Sequence, residues 1–193
     1  MKRLTSTAAL AASALFMTVT VAACGGNDDG GADGATGWAV SDCTQLVEPT
    51  NADQPAEGST VEGTVAVAGA IDTAPIVSIQ GDATPATSLS TTDLIPGSGQ
   101  PVAAGAEVTV QYCGVGLTSR RVFDSSWSRG EPITFPLAGV IAGWQEGIPG
   151  MDPGGRRLLV IPGDLAYGDN PPPGSGILPG ETLVFVVDLL NTP

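Results

Sequence analysis

Between Glu107 and Cys113 the side chains alternate strictly, with Val108, Val110 and Tyr112 on one face and Thr109, Gln111 and Cys113 on the other. A period of two belongs to a β-strand, and it commits this part of the chain to a sheet. The run from Thr182 to Leu190 repeats the pattern, setting Leu183, Phe185, Val187 and Leu189 opposite Val184, Val186 and Asp188. Arg156–Ile161 reads as a further strand. The clearest helical signal is Val140–Glu146, where Ile141 and Trp144 stand three apart before Gly147, a spacing that fits two turns closed by a glycine. Several strands and one short helix predict an α+β chain, an antiparallel sheet packed on a helix.

Composition narrows the chemistry. The 193 residues include 27 Gly and 16 Pro, with 42% hydrophobic and only 14% charged, which suits one modest core surrounded by turns and tethers. The formal net charge is −13. A phosphate backbone is bound by basic side chains that displace its counterions, so nucleic acid is excluded as a partner. The absence of histidine removes Ser-His-Asp and Cys-His catalysis and imidazole zinc sites. Lys2 is the only lysine, and it falls in what reads as a removable leader, so Schiff-base chemistry goes as well. Neither a metal nor a cofactor is expected.

The leader begins with Lys2 and Arg3, carries no charge from Leu4 to Asn27, and ends Val21-Ala22-Ala23-Cys24. A basic start, an apolar stretch and small residues before a cleavage point describe a secretory signal. Small residues followed by cysteine resemble the lipobox of bacterial lipoproteins. The resemblance implies cleavage before Cys24, acylation of that cysteine with chains such as palmitate, and a folded part outside the cytoplasm, anchored to the bacterial cell membrane. An uncleaved membrane-spanning anchor is the alternative. Residues 1–23 are then a signal peptide, 24–60 a flexible tether, 61–88 an extra strand segment, and 89–193 the main domain. Cys43 and Cys113 remain as an even pair in an oxidising setting. They are a candidate disulfide, with two free thiols as the other reading, because a bridge needs a Cα separation that only the fold supplies.

From Pro162 to Gly180, ten of nineteen residues are Gly or Pro, yet Tyr167, Ile177 and Leu178 lie among them. A long loop carrying apolar residues predicts a segment folded over a binding surface. Here the motifs carry a resemblance. Val108–Gly114, Val122-Phe123-Asp124-Ser125-Ser126, Val140–Gly147, Ala166-Tyr167-Gly168, Ile177-Leu178-Pro179 and Thr182–Phe185 together resemble the FKBP family of peptidyl-prolyl isomerases, from about Leu89 onward. The resemblance implies a twisted antiparallel sheet curled around one short helix. It also implies a pocket with Trp144 as its floor, walls from Tyr112, Phe123, Phe135, Val140, Ile141, Ile177 and Phe185, and Tyr167 at the rim. Asp124 would lie against Tyr112 with its carboxylate held by Arg129. Simple core packing is the alternative for each aromatic taken singly, and a surface ion pair for Asp124.

Two positions depart from the family pattern. Ile133 stands where an aromatic is common, and the loop tip Asn170–Gly176 is about two residues longer than the familiar form and lacks its frequent histidine. Both touch the substrate entrance. The implied activity is rotation of X-Pro bonds in exported polypeptides, without a covalent intermediate, by a monomer that could also take macrolides such as tacrolimus or rapamycin. The alternative is an FKBP-like binding or chaperone lipoprotein with little turnover.

Overall fold

The computed structural model describes residues 37–192. The signal segment, Cys24 and the first part of the proposed tether lie outside the described residues. Eleven strands form two antiparallel sheets. The first contains β1 (Trp38–Asp42), β2 (Thr50–Ala52), β3 (Thr60–Glu62), β4 (Val65–Ala68) and β5 (Ile76–Gln80), in the order β2-β1-β5-β4-β3. The second contains β6 (Ser90–Ile95), β7 (Glu107–Gly116), β8 (Val122–Ser125), β9 (Ile133–Pro136), β10 (Arg156–Ile161) and β11 (Leu183–Asn191). Its order is β6-β10-β11-β7-β8, and β9 pairs with the first half of β7. Two short α-helices, α1 (Ser126–Arg129) and α2 (Ala142–Gly147), and two 3-10 turns, Leu137–Gly139 and Gly163–Leu165, complete the set among the described residues.

The second sheet is covered on both faces. On one face Val108, Val110 and Tyr112 of β7 join Leu159 and Ile161 of β10, and Leu183, Phe185, Val187 and Leu189 of β11, around Trp144 of α2. On the other, Cys113 and Val115, Leu158, and Val184 and Val186 meet Cys43, Val65, Val67, Val77 and Ile79 of the N-terminal sheet. The molecule is therefore helix, sheet and sheet in three layers. Helix α2 reaches its sheet because Gly143 has no side chain, a Cβ there falling 2.3 Å from Ile161 Cγ2.

Reading residues 24–60 as a tether does not hold for residues 38–60, which supply β1, β2 and the start of β3. Strand β1 pairs with β5 over five residues, Trp38↔Gln80 to Asp42↔Ile76. Leu94–Ile95 close β6, which belongs to the second sheet through β10.

Cys43 and Cys113 are joined by a disulfide, with Cα atoms 5.8 Å apart and a sequence separation of 70. Loop closure of that length removes denatured-state entropy worth ~4 kcal/mol. A buried ion pair adds a second tie between the layers. Arg156 Nε donates to Asp188 Oδ1 at 2.5 Å, and each side chain is 1% exposed. The same guanidinium donates to the carbonyls of Gly69 and Thr73 in the β4–β5 turn, while the Asp72 N–H donates to Asp188.

Candidate active site

Strand β7 presents Tyr112, and its neighbour β8 presents Phe123 and Asp124. As the last residue of β8, Ser125 caps α1 by accepting from the Ser128 N–H, and Gly130 ends the helix in the left-handed region at φ 78°. This single turn returns the chain so that Arg129 faces Asp124. Three polar groups then close a ring. The Tyr112 hydroxyl donates to Asp124 Oδ2, Arg129 donates from one nitrogen to Asp124 Oδ1, and from another to the Tyr112 oxygen at 2.9 Å. The guanidinium carbon also stands 5.5 Å from the centre of the Tyr112 ring. The bond from Arg129 to Tyr112 is an addition to the arrangement expected from sequence.

The apolar part is built from edge-to-face rings. Trp144 meets Phe185 at 5.2 Å and Tyr112 at 5.5 Å between centroids, both at 90°, and Phe123 meets Phe185 at 5.4 Å and 87°. Phe135 leans on Trp144 at 5.6 Å. Such pairs prefer these perpendicular arrangements, because the positive edge of one ring faces the negative face of the other. Together with Asp124, Ile133, Val140, Ile141 and Tyr167 these rings line an open cavity of about 550 Å³, within the range of small-ligand sites. Trp144 and Phe185 are each 4% exposed and form the floor; Ile133 and Tyr167 are exposed at the mouth.

Two expectations need correction or addition. Ile177, expected as a wall, is 9% exposed and packs in the core cluster that contains Tyr112, Trp144 and Phe185, and it is not among the residues that line the cavity. Sequence alone does not separate a residue that packs against the rings from one that faces the cavity they enclose. Gly139 also lines the cavity, and Gly114, behind the rings, lets them close. Neither was singled out from sequence, although a glycine inside the strand pattern at 114 is a signal of close approach.

Burial and the hydrogen bond to Asp124 push the Tyr112 phenol up to about 12, against the opposing pull of Arg129. For Tyr167, burial and the charge of Asp124 raise the phenol above its ordinary value. Both hydroxyls stay protonated at neutral pH and can act as donors. For Arg129, burial pulls the value down, but its bonds to Tyr112 and Asp124 outweigh it and hold the guanidinium more firmly protonated.

A ring-lined cup with hydroxyls and one clamped carboxylate at its side is a site for binding and desolvating a compact apolar segment, with no nucleophile poised for covalent chemistry. Comparison with known proteins gives that class its family. A family model for FKBP-type peptidyl-prolyl cis-trans isomerase matches residues 98–190. A probable FK506-binding protein of Corynebacterium glutamicum is 55% identical over 100 residues, covering 51% of this chain and 82% of that one. The FK506-binding protein of Streptomyces anulatus is 47% identical over 108 residues, covering 55% and 87%. The crystal structure of AtFKBP13 superposes with a TM-score of 0.50 at 34% identity, covering 54% of this chain and 93% of that one. The chain belongs to the FKBP family and is a peptidyl-prolyl cis-trans isomerase. The N-terminal sheet precedes the matched residues.

Proposed function

We propose that this isomerase is exported, held at the bacterial cell membrane by an acylated Cys24, and accelerates X-Pro rotation in exported polypeptides as a monomer. Anchoring is supported by the charge-free run from Leu4 and its Val-Ala-Ala-Cys ending. Several acyl chains on one cysteine would give stable membrane attachment, where one chain would not. An oxidising location is supported by the disulfide between Cys43 and Cys113, since such bonds persist mainly outside the reducing cytosol.

The observation that carries the mechanism is the union of the Trp144 floor with the Tyr112–Asp124–Arg129 ring. Twisting an X-Pro amide breaks its resonance against a barrier of ~18–20 kcal/mol. The planar amide is the more polar form, so water stabilises it over the twisted one. In the cavity, the aromatic walls replace that water and favour the twisted state selectively. Arg129 and Tyr112 fix the orientation of the Asp124 carboxylate, and Tyr167 offers a hydroxyl at the mouth. The same cup would accept a macrolide such as tacrolimus or rapamycin, in keeping with the names of the relatives.

Two measurements test this. A prolyl cis/trans assay on the purified mature domain should show turnover that tacrolimus inhibits. Membrane fractionation should find the wild type on membranes and Cys24→Ser released and folded; equal retention of both would reject the lipid anchor.

A further inference from the structure

We propose that the N-terminal sheet positions the polar ring of the cavity, with Ser125 as the positioning residue through which it acts. Ser125 is fully buried, and its register partner on β7 is Cys113. Its hydroxyl donates at 2.7 Å to the carbonyl of Cys43, the residue that follows β1, and accepts from the Ser128 N–H at the start of α1. One oxygen thus fixes the first layer to the turn that delivers Arg129.

The disulfide makes the second attachment beside the first. It ties Cys43 to Cys113, the immediate neighbour of Tyr112, while Ser125 is the immediate neighbour of Asp124. The cavity's two acid–hydroxyl partners are therefore both next in sequence to a residue gripped from behind. Ser126 adds the link between them, its hydroxyl accepting from the Tyr112 N–H at 2.8 Å. A hydrogen-bond ring tolerates little displacement, so slack at Cys43 passes to the angle at which Arg129 meets Asp124.

This inference rests on the assignment of Asp124, Arg129 and Tyr112 to the reaction, and a double-mutant cycle in the full chain separates the two. Ser125→Ala removes a buried hydrogen bond, and kcat/KM for a short X-Pro peptide should fall about five-fold, measured well below the thermal midpoint. In an Arg129→Ala background the same substitution should change kcat/KM less than two-fold, because the group it positions is gone. A merely structural effect would multiply through both backgrounds equally, and that outcome overturns the proposal. Wild-type turnover in Ser125→Ala overturns it too. Unchanged turnover in Arg129→Ala alone would overturn the assignment of the ring and this inference with it. If Ser125→Ala does not fold, the Cys43→Ala/Cys113→Ala chain decides: a fall in turnover that vanishes in the Arg129→Ala background supports the proposal, and wild-type turnover rejects it.

Discussion

Gly114 and Phe123 are in such close contact that a Cβ on the glycine would stand 2.5 Å from the Phe123 Cζ, and 2.8 Å from Cε1 of Phe185. The edge-to-face packing of these two rings thus depends on a missing side chain on β7. Gly114→Ala should push the rings into the cavity and cost ~1–3 kcal/mol of stability through overpacking. Activity on an X-Pro peptide should fall with it, by roughly ten-fold if ~1.4 kcal/mol of the strain appears at the transition state. Thermal melts beside the isomerase assay check both.

Non-covalent catalysis makes a graded prediction for the site itself. Asp124→Ala or Tyr112→Phe removes a charge-assisted hydrogen bond worth ~1.5–3 kcal/mol, a ten- to hundred-fold loss in kcat/KM. Trp144→Ala should lose at least as much and also destabilise the fold by ~3–5 kcal/mol, since it leaves a cavity under the floor. Complete loss of turnover in a folded Asp124→Ala protein would contradict the solvent-stripping mechanism, because losses on the order of 10⁴-fold mark a covalent group.

The two tyrosines give a pH prediction. Tyr112 is raised to about 12 in the folded protein, first by burial and then by Asp124, against an ordinary value near 10. The neutral phenol is the form that folding favours. The stabilisation is therefore fully present below about pH 10 and is lost as pH rises from there towards 12. Ultraviolet titration of the native protein should show both phenolates appearing above pH 10, with Tyr112 ionising only near 12. In Tyr112→Phe the alkaline fall in stability should become shallower.

Stability without chemistry is predicted for Arg156. It touches Asp188 and the β4–β5 turn on the face away from the cavity. Arg156→Ala would leave the Asp188 carboxylate buried without its cation, a change that typically costs 3–5 kcal/mol. Turnover per folded molecule should stay near wild type. A urea titration alongside the isomerase assay separates the two effects.

The sheet that builds the site was legible because β7 and β11 alternate over long stretches, and because the motif residues fall at ring, carboxylate and helix positions. What covers its other face was not. Cys113, Val184 and Val186 form a second apolar set, and Asp188 stands in an apolar strand opposite Arg156; both are signs of a sheet buried on two sides. Residues 61–88 carried a weak strand signal, but the strands before them carried little, and none showed which face it covers. Strands β2 and β3 have three residues each, Ser41 and Ser78 are polar yet buried, and β1 finds its partner β5 some forty residues away. Such strands exist through tertiary pairing, which local periodicity does not record. Arg129 was legible as the partner of Asp124, whereas its bond to Tyr112 follows from the turn geometry of α1.

Strand β11 lies between β10 and β7, so the middle of the second sheet is the segment that leaves the ribosome after both of its neighbours. Until Leu183–Asn191 is threaded between them, β7 and β10 each have an unsatisfied row of backbone donors and acceptors, and Phe185 is missing from the cavity floor. Pairings of such sequence separation form slowly. Vectorial delivery of this chain would thus assemble its own catalytic floor only after both flanking strands have emerged, and a nascent copy stalled upstream of Leu183 would carry exposed strand edges open to association with other chains.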